Sequence, residues 1–246
     1  MQNNDKKLML GNIVSFAQLE SLVFEFENVL REYNITITSG SDLERVCLSV
    51  IDVLGKKKQP HLMNPLEDIR PYFSDILGLW VFMTKIVGLR THCNFIKLVP
   101  HLELLNIGTA PQNKKSPITD QAANKIFELL IALLCMEIGE NISLDHPGSS
   151  KGNNPDIIFT FEGLRWGFAC KVPHTISAKS IYDNITTGIN QVEASPVDLG
   201  CVVLNFKNLI DHNYSWPILN ETEVSTGKVP IFGAWANPIS LAKELV

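Results

Sequence analysis

Apolar residues in this chain change their spacing near its middle, and that change limits what it can fold into. From Ser15 to about Leu105 they recur at helical intervals. Phe16, Leu19, Leu22, Val23, Phe26 and Leu30 fall three and four apart, and similar faces follow in Leu43–Leu54 and Tyr72–Val87. Ser41 or Asp42 can cap the second helix, while Asn64-Pro65 and Arg70-Pro71 interrupt between helices. NIGTAPQNKKSPITD, from Asn106 to Asp120, is a polar joint carrying proline and glycine. Beyond it the pattern predicts a helix over Thr119–Ile138, a short strand near Asn141–Leu144 and strands at Asp156–Phe161 and Leu164–Val172 joined at Glu162-Gly163. A helix from Ser177 to about Glu193 and a strand Gly200–Phe206 follow. The expected fold class is α/β: an all-helical domain over residues 1–115, then a domain over 116–246 in the order α-β-β-β-α-β. The continuous apolar run Cys201-Val202-Val203-Leu204 suits a strand buried on both faces of a helix-coated sheet. Val229–Trp235 reads as a further strand and Asn237–Val246 as a short amphipathic helix.

Composition narrows the function classes. With 246 residues, 45% hydrophobic and 19% charged, the chain can bury a sizeable core. Cys47, Cys93, Cys135, Cys170 and Cys201 are odd in number, widely spaced and set in apolar runs, which fits a reducing compartment better than a disulfide framework. No segment resembles a leader, and no apolar stretch reaches about 18 residues, so a cytoplasmic protein without a membrane partner is expected. A net charge of −5 argues against coating nucleic acid by bulk electrostatics. Local basic points remain at Lys56–Lys58, Lys114-Lys115, Lys125 and Lys151, each of which reads first as a solvated charge. The chain lacks a Gly-x-Ser-x-Gly elbow, a phosphate-binding loop, a dinucleotide glycine fingerprint and a His-Glu-x-x-His pair. His61, His92, His101, His146, His174 and His212 show no metal-ligand spacing.

Strand alternation sorts the hairpin residues. Arg165, Gly167, Ala169 and Lys171 share one face, and Trp166, Phe168, Cys170 and Val172 share the other. The second set reads as core, so the first faces solvent or a site. Asp156 opens the neighbouring strand, where its carboxylate and the Lys171 ammonium can converge. Glu128 lies within KIFELLIALLCM, where an ionised carboxylate is costly unless paired with a cation. On the helix after the hairpin, Ile181, Ile185, Ile189 and Val192 form the expected core stripe. Ser177, Ser180, Asn184 and Gln191 flank it, and Asp183 and Glu193 fall away. Gln191 is therefore the candidate to reach a phosphate, a metal-bound water or Lys171.

Glu128 on the leading helix, Pro155-Asp156, the hairpin, Ala169-Cys170-Lys171 and Asn190–Glu193 together resemble the PD-(D/E)xK nuclease superfamily over roughly residues 117–207. The resemblance implies a restriction-endonuclease-like core and phosphodiester hydrolysis, most simply of DNA, assisted by Mg²⁺ or Mn²⁺. It implies that Asp156 holds the principal metal, that an acid at position 169 shares it, and that the Cys170 carbonyl completes the protein ligands. Glu128 would bind a second metal directly or through water, and Lys171 would orient or help deprotonate the attacking water.

Ala169 departs from that pattern, having no oxygen to offer. The acid has migrated to another element, or the domain is a pseudo-nuclease kept for binding, or the alanine is an engineered replacement of a glutamate; the last is favoured because Glu128, Asp156 and Lys171 are all present. The main alternative from another class is a nuclease-like scaffold or inhibitory interaction protein without catalysis. The resemblance further implies an effector of antiviral defence or DNA processing that depends on a partner ATPase or helicase.

Overall fold

The computed structural model describes residues 16–58, 70–148, 153–210 and 212. Lys151, Asn64-Pro65, the expected strand Val229–Trp235 and the expected helix Asn237–Val246 lie outside them. The described residues are mixed α/β, with six α-helices and a four-stranded mixed sheet.

Three long helices come first: α1 (Phe16–Glu32), α2 (Asp42–Lys58) and α3 (Arg70–Leu89). They meet through the residues their periodicity marks, including Phe26 and Leu30 of α1, Leu43, Val46 and Val50 of α2, and Leu79, Phe82 and Ile86 of α3, all fully buried. Ser41 is the residue that caps α2: its Oγ accepts from Glu44 N at 3.1 Å, and Glu44 reaches back to Gly40 N at 2.6 Å. A single helical turn, α4 (Val99–Leu102), follows between 3₁₀ turns at Phe95–Leu98 and Glu103–Asn106. The polar joint is tied down at several points. Thr109 donates through N and Oγ1 to Asp120 Oδ2 at 2.9 and 2.8 Å, while Asp120 Oδ1 caps the next helix by accepting from Ala123 N at 2.9 Å.

That helix, α5 (Gln121–Met136), leads into β1 (Glu140–Leu144), β2 (Ile157–Phe161), β3 (Leu164–Lys171), α6 (Ala178–Glu193) and β4 (Leu199–Leu204), the element order expected. The strands lie in the order β1-β2-β3-β4, antiparallel except for the parallel β3–β4 pair that α6 connects. Glu162 and Gly163, at φ 52° and 77°, make the two-residue hairpin turn whose twist matches the strands. α5 buries Ile126, Leu129 and Leu133 in one cluster with Ile142, Ile157, Phe159 and Cys170 of the sheet. Ala169 lies against Gly188 of α6: a Cβ built on that glycine would stand 3.4 Å from the Ala169 methyl. Neighbouring strand residues face opposite ways, so α5 and α6 cover opposite faces of the sheet. Buried residues from before and after the joint belong to that same cluster.

Two sequence expectations need correction. β4 is not buried on both faces: it is the edge strand of the described sheet, exposed at Leu199, Gly200 and Cys201 and half-buried from Val202 onward. A continuous apolar run cannot distinguish a central strand from an edge strand that packs a helix on one side. On α6 the buried residues are Gly188 and Gln191, while Ile189 is 43% exposed. Ile181, Ile185 and Val192 are half-buried, with Val192 against Gly200, so only Ile189 departs from the expected stripe; Gly188 lets the helix approach β4 closely, with only 2.7 Å between a built Cβ and Val202 Cγ1. Among the described residues no helix is long and apolar enough to cross a membrane.

Where α5 turns into β1, a Cβ on Gly139 would meet Phe159 Cδ2 at 2.6 Å and the Thr160 carbonyl oxygen at 2.9 Å, whereas one on Gly88 in α3 meets nothing within 4 Å. Gly139→Ala should therefore destabilise the fold by about 1–3 kcal/mol. Gly88→Ala should stabilise it by up to about 1 kcal/mol through helix propensity. Urea midpoints of the two variants, moving in opposite directions from the parent, check this.

Candidate functional site

Asp156 precedes β2 by one residue, and its position follows from where the ladder stops. The last β2–β3 pair at this end is Ile157 with Phe168, so the Cys170 amide runs past the end of β2. Asp156 Oδ2 takes that N–H at 2.7 Å, in place of a ladder bond. The carboxylate is buried, and desolvation, followed by the nearby Glu128 charge, pushes its pKa up from 3.8 to about 6 against the opposing effects of the Cys170 amide and two lysines.

Those lysines approach from different elements. Lys171, the last residue of β3, places Nζ 4.0 Å from Asp156 Oδ2 and donates to Gln191 Oε1. Gln191 is buried on α6, so its amide is held where a surface glutamine would not be. Lys125 on α5 places Nζ 2.9 Å from Glu128 Oε2 and 3.9 Å from Asp156 Oδ1, spanning both carboxylates. Glu128 is 5% exposed and also faces the buried His101 of α4, whose Nε2 lies 3.8 Å from Glu128 Oε2. Two carboxylates and two ammonium groups thus face one another in a poorly solvated volume, where each charge depends on the others for compensation.

Of the residues singled out in the sequence, the structure brings together Glu128, Asp156, Lys171 and Gln191, with Cys170 contributing its amide to Asp156. Asp183 and Glu193 are exposed. The face shared by Arg165, Gly167, Ala169 and Lys171 needs correction as a solvent or site face: Gly167 and Ala169 are buried. A Cβ on Gly167 would stand 3.1 Å from Pro155 Cγ and 3.2 Å from Val197, so packing covers that stretch and only Lys171 at its end reaches the site. Burial raises the Cys170 thiol well above its usual range, which leaves it an inert core residue.

Two readings need correction: Lys125, expected first as a solvated charge, is largely covered and pairs with Glu128, and His101, given no site role, faces the same carboxylate. Lys125 precedes Glu128 by one helical turn, a spacing at which side chains are neighbours, so its proximity was available from the chain alone. His101 carries no such signal, since only the packing of α4 on α5 brings it near. Among the described residues no group of three or more His, Cys, Asp or Glu side chains is placed to hold a metal. Comparison with protein-family models, curated proteins and solved structures finds no significant match.

The raised pKa of Asp156 has a consequence for stability. Between about pH 4 and 6 the folded chain binds more protons at this residue than the unfolded chain, so this contribution to stability falls as pH rises through that window. Above about pH 6 the penalty is complete, on the order of 2–3 kcal/mol. Asp156→Asn should lose this component, so that acidification stabilises the parent but not the variant. Glu128→Gln, by removing a neighbouring negative charge, should bring the Asp156 pKa down. Urea unfolding across the window, with carboxyl titration by NMR, checks both.

Proposed function

We propose that this chain is a PD-(D/E)xK, restriction-endonuclease-like nuclease acting on DNA with Mg²⁺ or Mn²⁺, inactive in its present sequence because position 169 holds alanine. The observation that carries the reading is the meeting of Asp156, Glu128, Lys171 and Gln191, supplied by the β2 entrance, α5, β3 and α6 in α-β-β-β-α-β order. Chance motif residues would have no reason to converge from four elements.

Among the described residues the donor set does not complete a metal site: Asp156 and Glu128 supply hard oxygen ligands, but both face lysines and no third acidic side chain joins them there. A carboxylate two residues before Lys171, on the same face of β3, would have to turn away from Gly188 and run along the strand toward Asp156. In the proposed active form a divalent ion would lower the pKa of the attacking water and neutralise the leaving oxygen. The chain's own part is to hold Asp156 through the Cys170 amide, to aim the Lys171 ammonium through Gln191, and to bring positive charge to the reacting phosphate through Lys171 and Lys125. A net charge of −5 supports a nuclease that relies on a partner ATPase or helicase for substrate grip, as an effector in antiviral defence would.

The balance of two carboxylates by two lysines favours a second reading, in which the chain is a scaffold or inhibitory protein and the cluster is a structural charge network. Ala169→Glu separates the two. Under the nuclease reading this variant cleaves single- or double-stranded DNA with Mg²⁺ or Mn²⁺, Lys171→Ala in that background slows it by about 10²–10⁴-fold, and Asp156→Ala abolishes it. Absence of cleavage of any nucleic acid by the folded Ala169→Glu chain, with candidate partner ATPases present, would leave the scaffold.

A further inference from the structure

His101 sits where an apolar side chain would be expected. Leu98 and Leu102 on either side of it, and Leu105 one turn on, are fully buried, and His101 itself is 1% exposed. Neither of its ring nitrogens has a hydrogen-bond partner. A neutral imidazole carries one donor and one acceptor, and leaving both unmet away from water is unfavourable, so a leucine or phenylalanine would fill the space at lower cost. The polar group that the structure sets before this ring is the Glu128 carboxylate, itself buried, with Nε2 3.8 Å from Oε2. That separation exceeds a hydrogen bond by a margin that a small side-chain rotation closes. The same oxygen is held from the other side by Lys125 at 2.9 Å.

We propose that His101 is a positioning residue that holds the Glu128 carboxylate in place, so that the helical half of the chain helps set the geometry of the candidate site. The pairing stands on the imidazole–carboxylate geometry alone; its effect on cleavage rests on the nuclease reading. Glu128 is otherwise free to follow Lys125, which also faces Asp156. An imidazole from α4 resists that movement, because displacing the carboxylate strands a buried ring without its one ionic neighbour. It also gives α4 and its flanking turns a direct mechanical link to the site.

Two measurements test this. In the full chain labelled with ¹³C and ¹⁵N, with the His101 ring signals assigned by through-bond correlation from its own backbone, Glu128→Gln should move the His101 ring-nitrogen shifts while leaving those of His92 in place. Unmoved His101 signals would overturn the pairing whatever becomes of the nuclease reading, and this arm needs no His101 variant to fold. In the Ala169→Glu background, His101→Phe should reduce kcat about 10–100-fold, the range for residues that orient the groups of a metal site, with KM within about twofold. His101→Gln, which keeps a hydrogen-bonding arm, should recover part of the loss. Equal kcat for His101→Phe and its parent would overturn the positioning role. A folded Ala169→Glu chain that does not cleave defeats the nuclease reading, and the NMR arm then decides whether His101 holds Glu128.

Discussion

Two carboxylates share a buried volume beneath α5, and the local structure is organised around making that tolerable. Glu128 and Asp156 repel one another, and burial removes the water that would screen them. Lys125, Lys171 and the Cys170 amide compensate from three directions. None of these groups can be removed without leaving a buried charge exposed to its neighbours, which is more costly than never having built the cluster. Perturbed carboxylates of this kind occur at functional sites and in structural ion-pair networks alike.

The cluster depends in turn on how firmly α5 is seated. Asp120 caps its first turn and anchors the joint through Thr109. Lys85 of α3 binds Glu137 just beyond its last turn with 2.6 Å contacts, and Lys97 donates to the Ile142 carbonyl at 3.0 Å, linking the helical half to β1. Ser116 and Asn208 join the joint to the segment after β4. There too a cation is buried: Lys207, whose pKa burial lowers to about 8 while Asp120 and Asp42 favour its charged form. The helical half therefore reaches the sheet through hydrogen bonds and ion pairs as well as through apolar packing.

Ala169 acquires meaning from α6. Gly188 allows that helix close to the sheet, and the alanine methyl lies in the floor of the contact, fully buried. The same helix then delivers Gln191 to Lys171. One glycine thus fixes both how much room position 169 has and where the partner of Lys171 stands.

Local chemistry made much of this legible from the chain alone. Periodicity marked α1, α2, α3 and α5, alternation and Glu162-Gly163 marked the hairpin, and an ionisable residue in an apolar helix marked Glu128, because each signal depends on neighbours in sequence. The sequence by itself determined the order of elements and nominated Glu128, Asp156, Lys171 and Gln191. Tertiary structure alone decided that β4 lies at an edge of the described sheet, that α6 sets Gly188 against β4 and leaves Ile189 exposed, and that His101 faces Glu128. Strand order and helix rotation depend on which surfaces meet, and an imidazole from α4 meets a carboxylate of α5 through packing between segments that no local pattern encodes.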